Sequence, residues 1–258
     1  MGVYRVITFN IAHGRGLSLY QGFHSAKYIE RNLAKITSVL TEADVDFVAF
    51  QEVDQDSYWN KNIDLIKVIQ RETPYHHSFI GLNNERGGKR NLNYGNAILS
   101  RHPMQAEYNQ PFDDKTFGGK GFMYAEITLG GAQLPVINVH LDFRSRQRRV
   151  EQIDQLIDFL EGRLDDINAL PIICGDFNCP AKKTGDAVFH LFRYLEDHGY
   201  RVLPDKNALR TFPAHFPTRT IDFIFMPPRC TIREVSVLPV YVSDHRPVLV
   251  EFESSEDD

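Results

Sequence analysis

At 258 residues, with 42% hydrophobic and 24% charged side chains, the chain has the composition of a soluble globular protein able to bury a sizeable core. A formal net charge of -5 speaks against a generally basic nucleic-acid binder, leaving room only for a local cationic rim. Three cysteines, an odd number without metal-ligand spacing, point to free thiols rather than a disulfide framework or a zinc cluster, and no apolar run reaches membrane-spanning length.

The chain opens directly into a strand ending at Asn10, with no signal-peptide core, and Val6 at the sixth position speaks against myristoylation at Gly2; a cytoplasmic protein is expected. A loop over Asn10 to Gly16 precedes a helix from Ser25 to about Ala43, because Ile29, Leu33, Ile36 and Leu40 recur at helical spacing. A strand from Asp46 to Gln51, a helix around Asn62 to Arg71 and a strand through Phe79 and Ile80 follow. The polar, glycine-rich stretch Asn83 to Asn93 reads as a mobile loop before the strand Tyr94 to Ser100. Phe122 to Leu129 and Leu134 to Leu141 flank Gly130-Gly131 and predict a β-hairpin. Helices are expected over Arg146 to Leu164 and Ala187 to His198. Strands are expected from Pro171, at Ile221 to Met226, Arg233 to Leu238 and Pro247 to Phe252. One domain over 1–253 and a disordered acidic tail over 254–258 complete the chain. Hairpins mixed with long helices predict an α/β protein in which two mostly antiparallel sheets pack together with helices outside.

Chemistry concentrates where apolar runs stop. Pro171-Ile-Ile-Cys-Gly-Asp-Phe-Asn178 ends in Asp176 and Asn178, which alternation places on one side, although the same pair also suits turn formation. Other runs end in Gln51-Glu52, in His140-Leu-Asp142, in Asp222 and in Ser243-Asp-His245, and several such ends are expected to meet at one mouth. Glu52 suits a hard cation such as Mg²⁺ or Mn²⁺, which needs few protein carboxylates. Asp244 is adjacent to His245 on extended backbone and therefore points away from it, so Asp222 is the better partner for the imidazole.

Taken together, Thr-Phe-Asn10, Gln-Glu52, Tyr-Gly-Asn96-Ala-Ile-Leu-Ser100, Asn-Val-His140-Leu-Asp142, Gly-Asp176-Phe-Asn178, Ile-Asp222-Phe-Ile and Ser-Asp244-His245 resemble, in order and over nearly the whole chain, the endonuclease/exonuclease/phosphatase superfamily with its deoxyribonuclease-I-like fold. The resemblance implies a four-layer α/β sandwich and a Mg²⁺- or Mn²⁺-dependent phosphoester hydrolase, in the first place a phosphodiesterase. By position it implies Glu52 as principal metal ligand, Asn10 beside it and Asp244 near a second metal position. Asp176 would align or deprotonate the attacking water, Asn178 would hold that water or a phosphate oxygen, and Asp222 would orient His245. His140 would contact the scissile phosphate or leaving group.

The substrate is open between nucleic acid and a lipid or inositol headgroup, with the motifs looking closest to sphingomyelinase-like and uncharacterised bacterial members. Asn96, Arg86, Lys89, Arg90 and Arg144 are expected at the substrate, and Arg146, Arg148 and Arg149 could either meet phosphates or pair with Glu151 and Asp154 on a helix face. A lipid surface would need an exposed apolar loop, for which Phe112, Phe117, Phe122 and Tyr124 are candidates or core. A catalytically silent binding module is disfavoured because each site position keeps a competent residue. A monomer without a stable protein partner is expected.

Overall fold

The computed structural model describes residues 2–112, 118–162, 170–181, 184–204 and 209–254. In chain order the main elements are β1 (Gly2–Asn10), α1 (Ala26–Ala43), β2 (Phe47–Ser57), α2 (Leu65–Arg71), β3 (His77–Arg86), β4 (Leu92–Ser100), β5 (Met104–Pro111), β6 (Gly121–Leu129), β7 (Ala132–His140), α3 (Arg146–Glu161), β8 (Ile172–Asp176), α4 (Ala187–Glu196), β9 (Arg201–Leu203), β10 (Asp222–Met226), β11 (Cys230–Val237) and β12 (Val248–Ser254). They form two six-stranded sheets, ordered β11-β12-β1-β2-β4-β3 and β5-β6-β7-β8-β10-β9. Each is antiparallel except for one parallel pair, β1 with β2 and β7 with β8.

The sheets pack face to face through Val6, Phe47, Ile98 and Val250 on one side and Met123, Val136, Cys174 and Ile224 on the other. The outer face of the first sheet is covered by α1 and α2, whose Ile29, Leu33, Ile36, Leu40 and Ile66 are buried. α3 and α4 cover the second through Ile153, Leu156, Val188 and Leu191. The result is the expected four-layer α/β sandwich. Helix starts follow their caps: Ser25, Asp64 and Ser145 each accept a backbone N–H from the first turn of their helix. The three cysteines are buried and unpaired. Among the described residues no helix is long and apolar enough to cross a membrane.

Several elements differ from the sequence reading. Asn83 to Asn93 is a loop only over 87–91: β3 runs to Arg86 and β4 starts at Leu92, because asparagine side chains bond the backbone across the ladder, Asn84 to the Leu92 carbonyl at 2.6 Å and Asn93 accepting from Arg86 N at 3.1 Å. β2 does not stop at Gln51 but continues to Ser57 beyond a register shift between Phe50 and Val53. Glu52 therefore occupies a bulge inside a strand, with φ 55°. β5 lacks an apolar run and escaped detection, being an edge strand with a largely exposed face. In α3 the buried face is Arg149, Gln152, Ile153, Leu156 and Leu160, so an arginine and a glutamine face inward beside the apolar positions. The expected extension of this helix to Leu164, Phe117 and the tail residues 255–258 lie outside the described residues.

Gly175 is the glycine the site depends on. Its φ is 149°, and a Cβ built there would lie 1.9 Å from the Val139 carbonyl oxygen, so only glycine lets β7 and β8 close up beside Asp176. Gly175→Ala is expected to cost on the order of 2 kcal/mol or more, read as a lower urea midpoint, whereas Gly87→Ala, where a Cβ would meet nothing within 4 Å, should stay within about 0.5 kcal/mol. Equal midpoints for the two variants would contradict this account of the strand pair.

Candidate active site

Strand register assembles the site. His140 is opposite Asp176 in the parallel β7–β8 pair, and Asp176 is opposite Asp222 in the antiparallel β8–β10 pair, so three neighbouring strands of one sheet present a row of ionisable groups. The other sheet brings Asn10, level with Gln51 on β2, and Glu52 just beyond it. Asn10 closes the gap: its Nδ2 donates to Asp176 Oδ2 at 2.9 Å while its Oδ1 accepts from Ala12 N. His245 arrives from the loop before β12, held by Ser243, whose hydroxyl donates to the Asn10 carbonyl at 2.7 Å. His245 Nδ1 lies 3.0 Å from Asp222 Oδ1, and its Nε2 lies 3.7 Å from Asp176 Oδ2.

Glu52, His140, Asp176 and His245 line a cavity of about 360 Å³ whose walls add His13, Arg15, Lys120 and Arg144 and the rings of Trp59, Tyr94 and Phe143. A second carboxylate–imidazole pair faces the first, with His13 Nδ1 2.8 Å from Asp54 Oδ2. Asp54 is fully buried and also accepts from Trp59 Nε1 at 2.8 Å and Asn60 Nδ2 at 2.6 Å. Lys120 Nζ donates to His140 Nε2 at 2.7 Å. Burial and the Lys120 ammonium push the His140 pKa down, which suits the neutral acceptor this bond needs.

Charge is unevenly shared. Burial works against ionising Glu52, but His13, Lys120 and the two site histidines outweigh it and hold the carboxyl at about 2. Burial likewise opposes the Asp176 carboxylate, yet His245 and His140 keep its pKa below the usual range. For Asp222 burial, together with the Asp176 charge, prevails over His245 and moves the pKa up. Asp222 and His245 therefore titrate as a linked pair, beside an Asp176 whose pKa is held down.

The donor set fits a hard divalent cation. Among the described residues the Glu52 carboxylate accepts no hydrogen bond; its nitrogen-bearing neighbours stand off at 3.6 Å for His13, 3.7 Å for Lys120 and 3.9 Å for His140. A cavity-facing carboxylate left open in this way suits Mg²⁺ or Mn²⁺, which takes few protein oxygens. Asp176, Asp222 and His245 also offer ligand atoms within 4.8 Å of one another, but the Asp222–His245 bond already engages two of them.

The family model for the endonuclease/exonuclease/phosphatase family matches residues 7–245. The chain belongs to this family. An uncharacterised protein of Escherichia coli K12, YbhP, is 26% identical over 178 residues, covering 61% of this chain and 62% of that protein. Sphingomyelinase C of Leptospira interrogans is 25% identical over 135 residues, covering 44% of this chain and 24% of that protein. The chain thus spans less than two thirds of these curated relatives. Among solved structures, the mannosyl-6-phosphatase Bt3783 of Bacteroides thetaiotaomicron superposes with a TM-score of 0.74 at 16% identity, covering 97% of this chain and 99% of that one, which shows a shared fold.

Of the residues singled out on sequence grounds, this endonuclease/exonuclease/phosphatase chain brings Glu52, His140, Asp176, Asn178, His245 and Arg144 to the cavity lining, with Asn10 and Asp222 directly behind. Asn178 takes φ 53° and donates its amide to the Leu141 carbonyl at 2.9 Å. Asp244 pairs with Arg15 at 2.6 Å. Asn96 is fully buried and bonds the Gly121 carbonyl, away from the lining. Arg86, Lys89 and Arg90 sit on the β3–β4 hairpin, also off the lining, and Arg86 folds onto the Arg90 carbonyl at 2.7 Å. Arg149 is no free cation: it is buried and bidentate to Asp186 at 2.9 and 3.0 Å, while Asp154 pairs with His190. Sequence reasoning missed His13, Arg15, Lys120 and Asp54. The signals present were a histidine and an arginine in a glycine-bearing loop just after Asn10, a lysine inside Gly118-Gly-Lys-Gly121, and an acid two residues after Glu52.

A pH dependence follows from His245. Burial disfavours its imidazolium, but Asp222 and Asp176 prevail and lift its pKa to about 10, against an ordinary 6.5. A raised folded pKa stabilises the protonated fold, so the contribution is complete below about pH 6.5 and is lost as pH climbs through about 10. The thermal midpoint of metal-free protein is expected to fall between about pH 7 and pH 10, and His245→Gln should flatten that fall. An identical slope in the variant would remove His245 as its source.

Proposed function

We propose that this chain is a divalent-cation-dependent phosphodiesterase that directs a water at phosphorus without a covalent enzyme intermediate. The observation that carries the reading is the buried chain Asp222–His245 and Asp176–Asn10 lying across the cavity floor beside the open Glu52 carboxylate. Asp176, ionised and locked by Asn10, orients the attacking water together with Asn178. His245, kept cationic by Asp222, meets the negative charge that grows on the phosphoryl oxygens. Lys120, bonded to His140, sets a second cation toward the departing oxygen. Glu52, with Asn10 and Asp244 nearby, would hold Mg²⁺ or Mn²⁺, which supplies Lewis-acid stabilisation of phosphoryl charge.

The family name spans both phosphodiester and phosphomonoester cleavage, and the Leptospira relative is named for sphingomyelin, so a headgroup phosphodiester is the first substrate class in this reading. A nuclease is the second, favoured by Arg15, Lys120 and Arg144 in the lining.

The test is hydrolysis of bis(p-nitrophenyl) phosphate with Mg²⁺, beside a chelator control and supercoiled plasmid as a parallel substrate. Turnover should vanish with chelator and drop by about a hundredfold or more in His245→Ala and in Asp176→Asn, each assayed below its own melting midpoint, where it still unfolds cooperatively. Near-normal turnover in either folded variant would sink the assigned roles, and plasmid nicking lost in both would establish the nuclease reading instead.

A further inference from the structure

The expected aromatic candidates for a lipid-facing loop, Phe112, Phe122 and Tyr124, are core residues, exposed by 5%, 0% and 1%. The exposed apolar surface lies elsewhere. In the stretch 16–26, between the end of the cavity floor and α1, Leu19, Tyr20 and Phe23 are exposed by 85%, 68% and 85%, and the Tyr20 and Phe23 rings pack edge to face 6.3 Å apart. This stretch contains no Asp, Glu, Lys or Arg, in a chain that is 24% charged.

The loop is fastened to the site. Arg15, a cavity-lining residue, donates to the Ser18 carbonyl and pairs with Asp244 beside His245. Gln21 bonds Asn60, Lys61 bonds the Gly22 carbonyl at 3.2 Å, and the Gly22 backbone packs against Trp59 of the cavity wall. Three more exposed rings belong to segments that border the same mouth. Phe143 lines it at 53% exposure, Tyr241 precedes the His245 loop, and Phe216 follows Ala214, whose N–H and carbonyl bond Asp244 and Arg246.

Large apolar side chains in water on a neutral loop are costly to leave uncovered and mark an interaction surface. The two chemistries here are complementary to one kind of partner: a rim of Leu, Tyr and Phe outside, and recessed cations inside. A phospholipid surface offers apolar chains with an anionic phosphoester at their boundary, and Tyr and Phe side chains favour that interface. A nucleic-acid backbone would find no cationic phosphate contact from the stretch 16–26 itself.

We propose that the 16–26 loop seats the chain on a zwitterionic phospholipid surface, with Leu19 and Phe23 entering the interface and the cavity mouth presented to headgroup phosphodiesters. Seating on the surface stands on the loop itself, whereas delivery of the headgroup to this site rests on the phosphodiesterase reading.

The experiment is cosedimentation of the full chain with phosphatidylcholine vesicles at high salt, comparing wild type with L19S/F23S, while bis(p-nitrophenyl) phosphate turnover is followed for both. Wild type should sediment with the vesicles. The double variant should lose on the order of a hundredfold in partitioning, since each buried large apolar side chain contributes about tenfold or more, with the same melting temperature and soluble-ester turnover. Wild type remaining in the supernatant, or a variant that sediments equally well, would overturn the proposal. So would a variant that instead loses single-stranded DNA binding or self-association, because the loop would then serve another partner. Vesicle binding by a chain without any turnover would overturn the phosphodiesterase reading alone, and turnover without vesicle binding the surface proposal alone.

Discussion

The hydrogen bond from Asn10 to Asp176 is the point where two sheets become one site. A sandwich of this kind brings its strand ends within reach of each other, but apolar packing between the sheets does not set their register to within an ångström. Directed bonds do. Asn10 ends β1 in one sheet and Asp176 ends β8 in the other, and the 2.9 Å bond between them is buried. Behind it, Gln51 donates to Asn138 at 2.7 Å, and Asn138 donates to the carbonyls of Phe50 and Ala97 across the same seam. Buried amides are costly unless paired, so this ladder disfavours any sliding of the sheets that would break it. The geometry of the cavity floor is therefore set by polar contacts made behind it.

The same constraint explains how an acidic chain builds a cationic cavity. Net charge of -5 is a property of the whole surface, whereas the lining gathers His13, Arg15, Lys120, Arg144 and His245 around Glu52 and Asp176. Each of the two lining imidazoles with raised pKa has its own buried carboxylate, Asp54 for His13 and Asp222 for His245. Asp54 and Asp222 sit behind these imidazoles, off the lining, while Glu52 and Asp176 add to the effect from within it. An approaching anion therefore meets the positive heads first. Backbone strain accompanies this arrangement: Ala12, His13, Glu52 and Asn178 all have φ near +50°, at the floor and rim of one cavity.

Much of this was legible in the sequence because it is local. The run Ile172-Ile-Cys-Gly-Asp176 announces a buried strand with a carboxylate at its end, and the alternation of side chains on extended backbone already separates Asp244 from His245 in favour of Asp222. The four layers follow from helical and alternating periodicities that short windows contain. What the sequence hid was register and distant pairing. Glu52 looked like a strand terminus because the bulge after Phe50 depends on the partner β4, and Arg149 was open between phosphates and the nearby Glu151 and Asp154 because its partner Asp186 lies 37 residues away. Asn84 and Asn93 looked like loop residues for the same reason, since their bonds are made across a ladder that no short window reveals.

Lys120 shows why such hidden members matter. It was unremarked inside a glycine run, yet the glycines at 119 and 121 are what allow the chain to pass close to β3, where a Cβ at Gly119 would meet the Asn83 carbonyl at 2.1 Å. That close passage carries Lys120 into the cavity, 7% exposed, where its ammonium is partly desolvated and faces both Glu52 and His140. A buried ammonium is costly without compensation. Its compensation here is one carboxylate at 3.7 Å and one neutral imidazole at 2.7 Å, a set that leaves the charge incompletely balanced. An anion in the cavity would complete that balance, so the cost of burying Lys120 becomes a preference for anionic ligands beside Glu52 and His140.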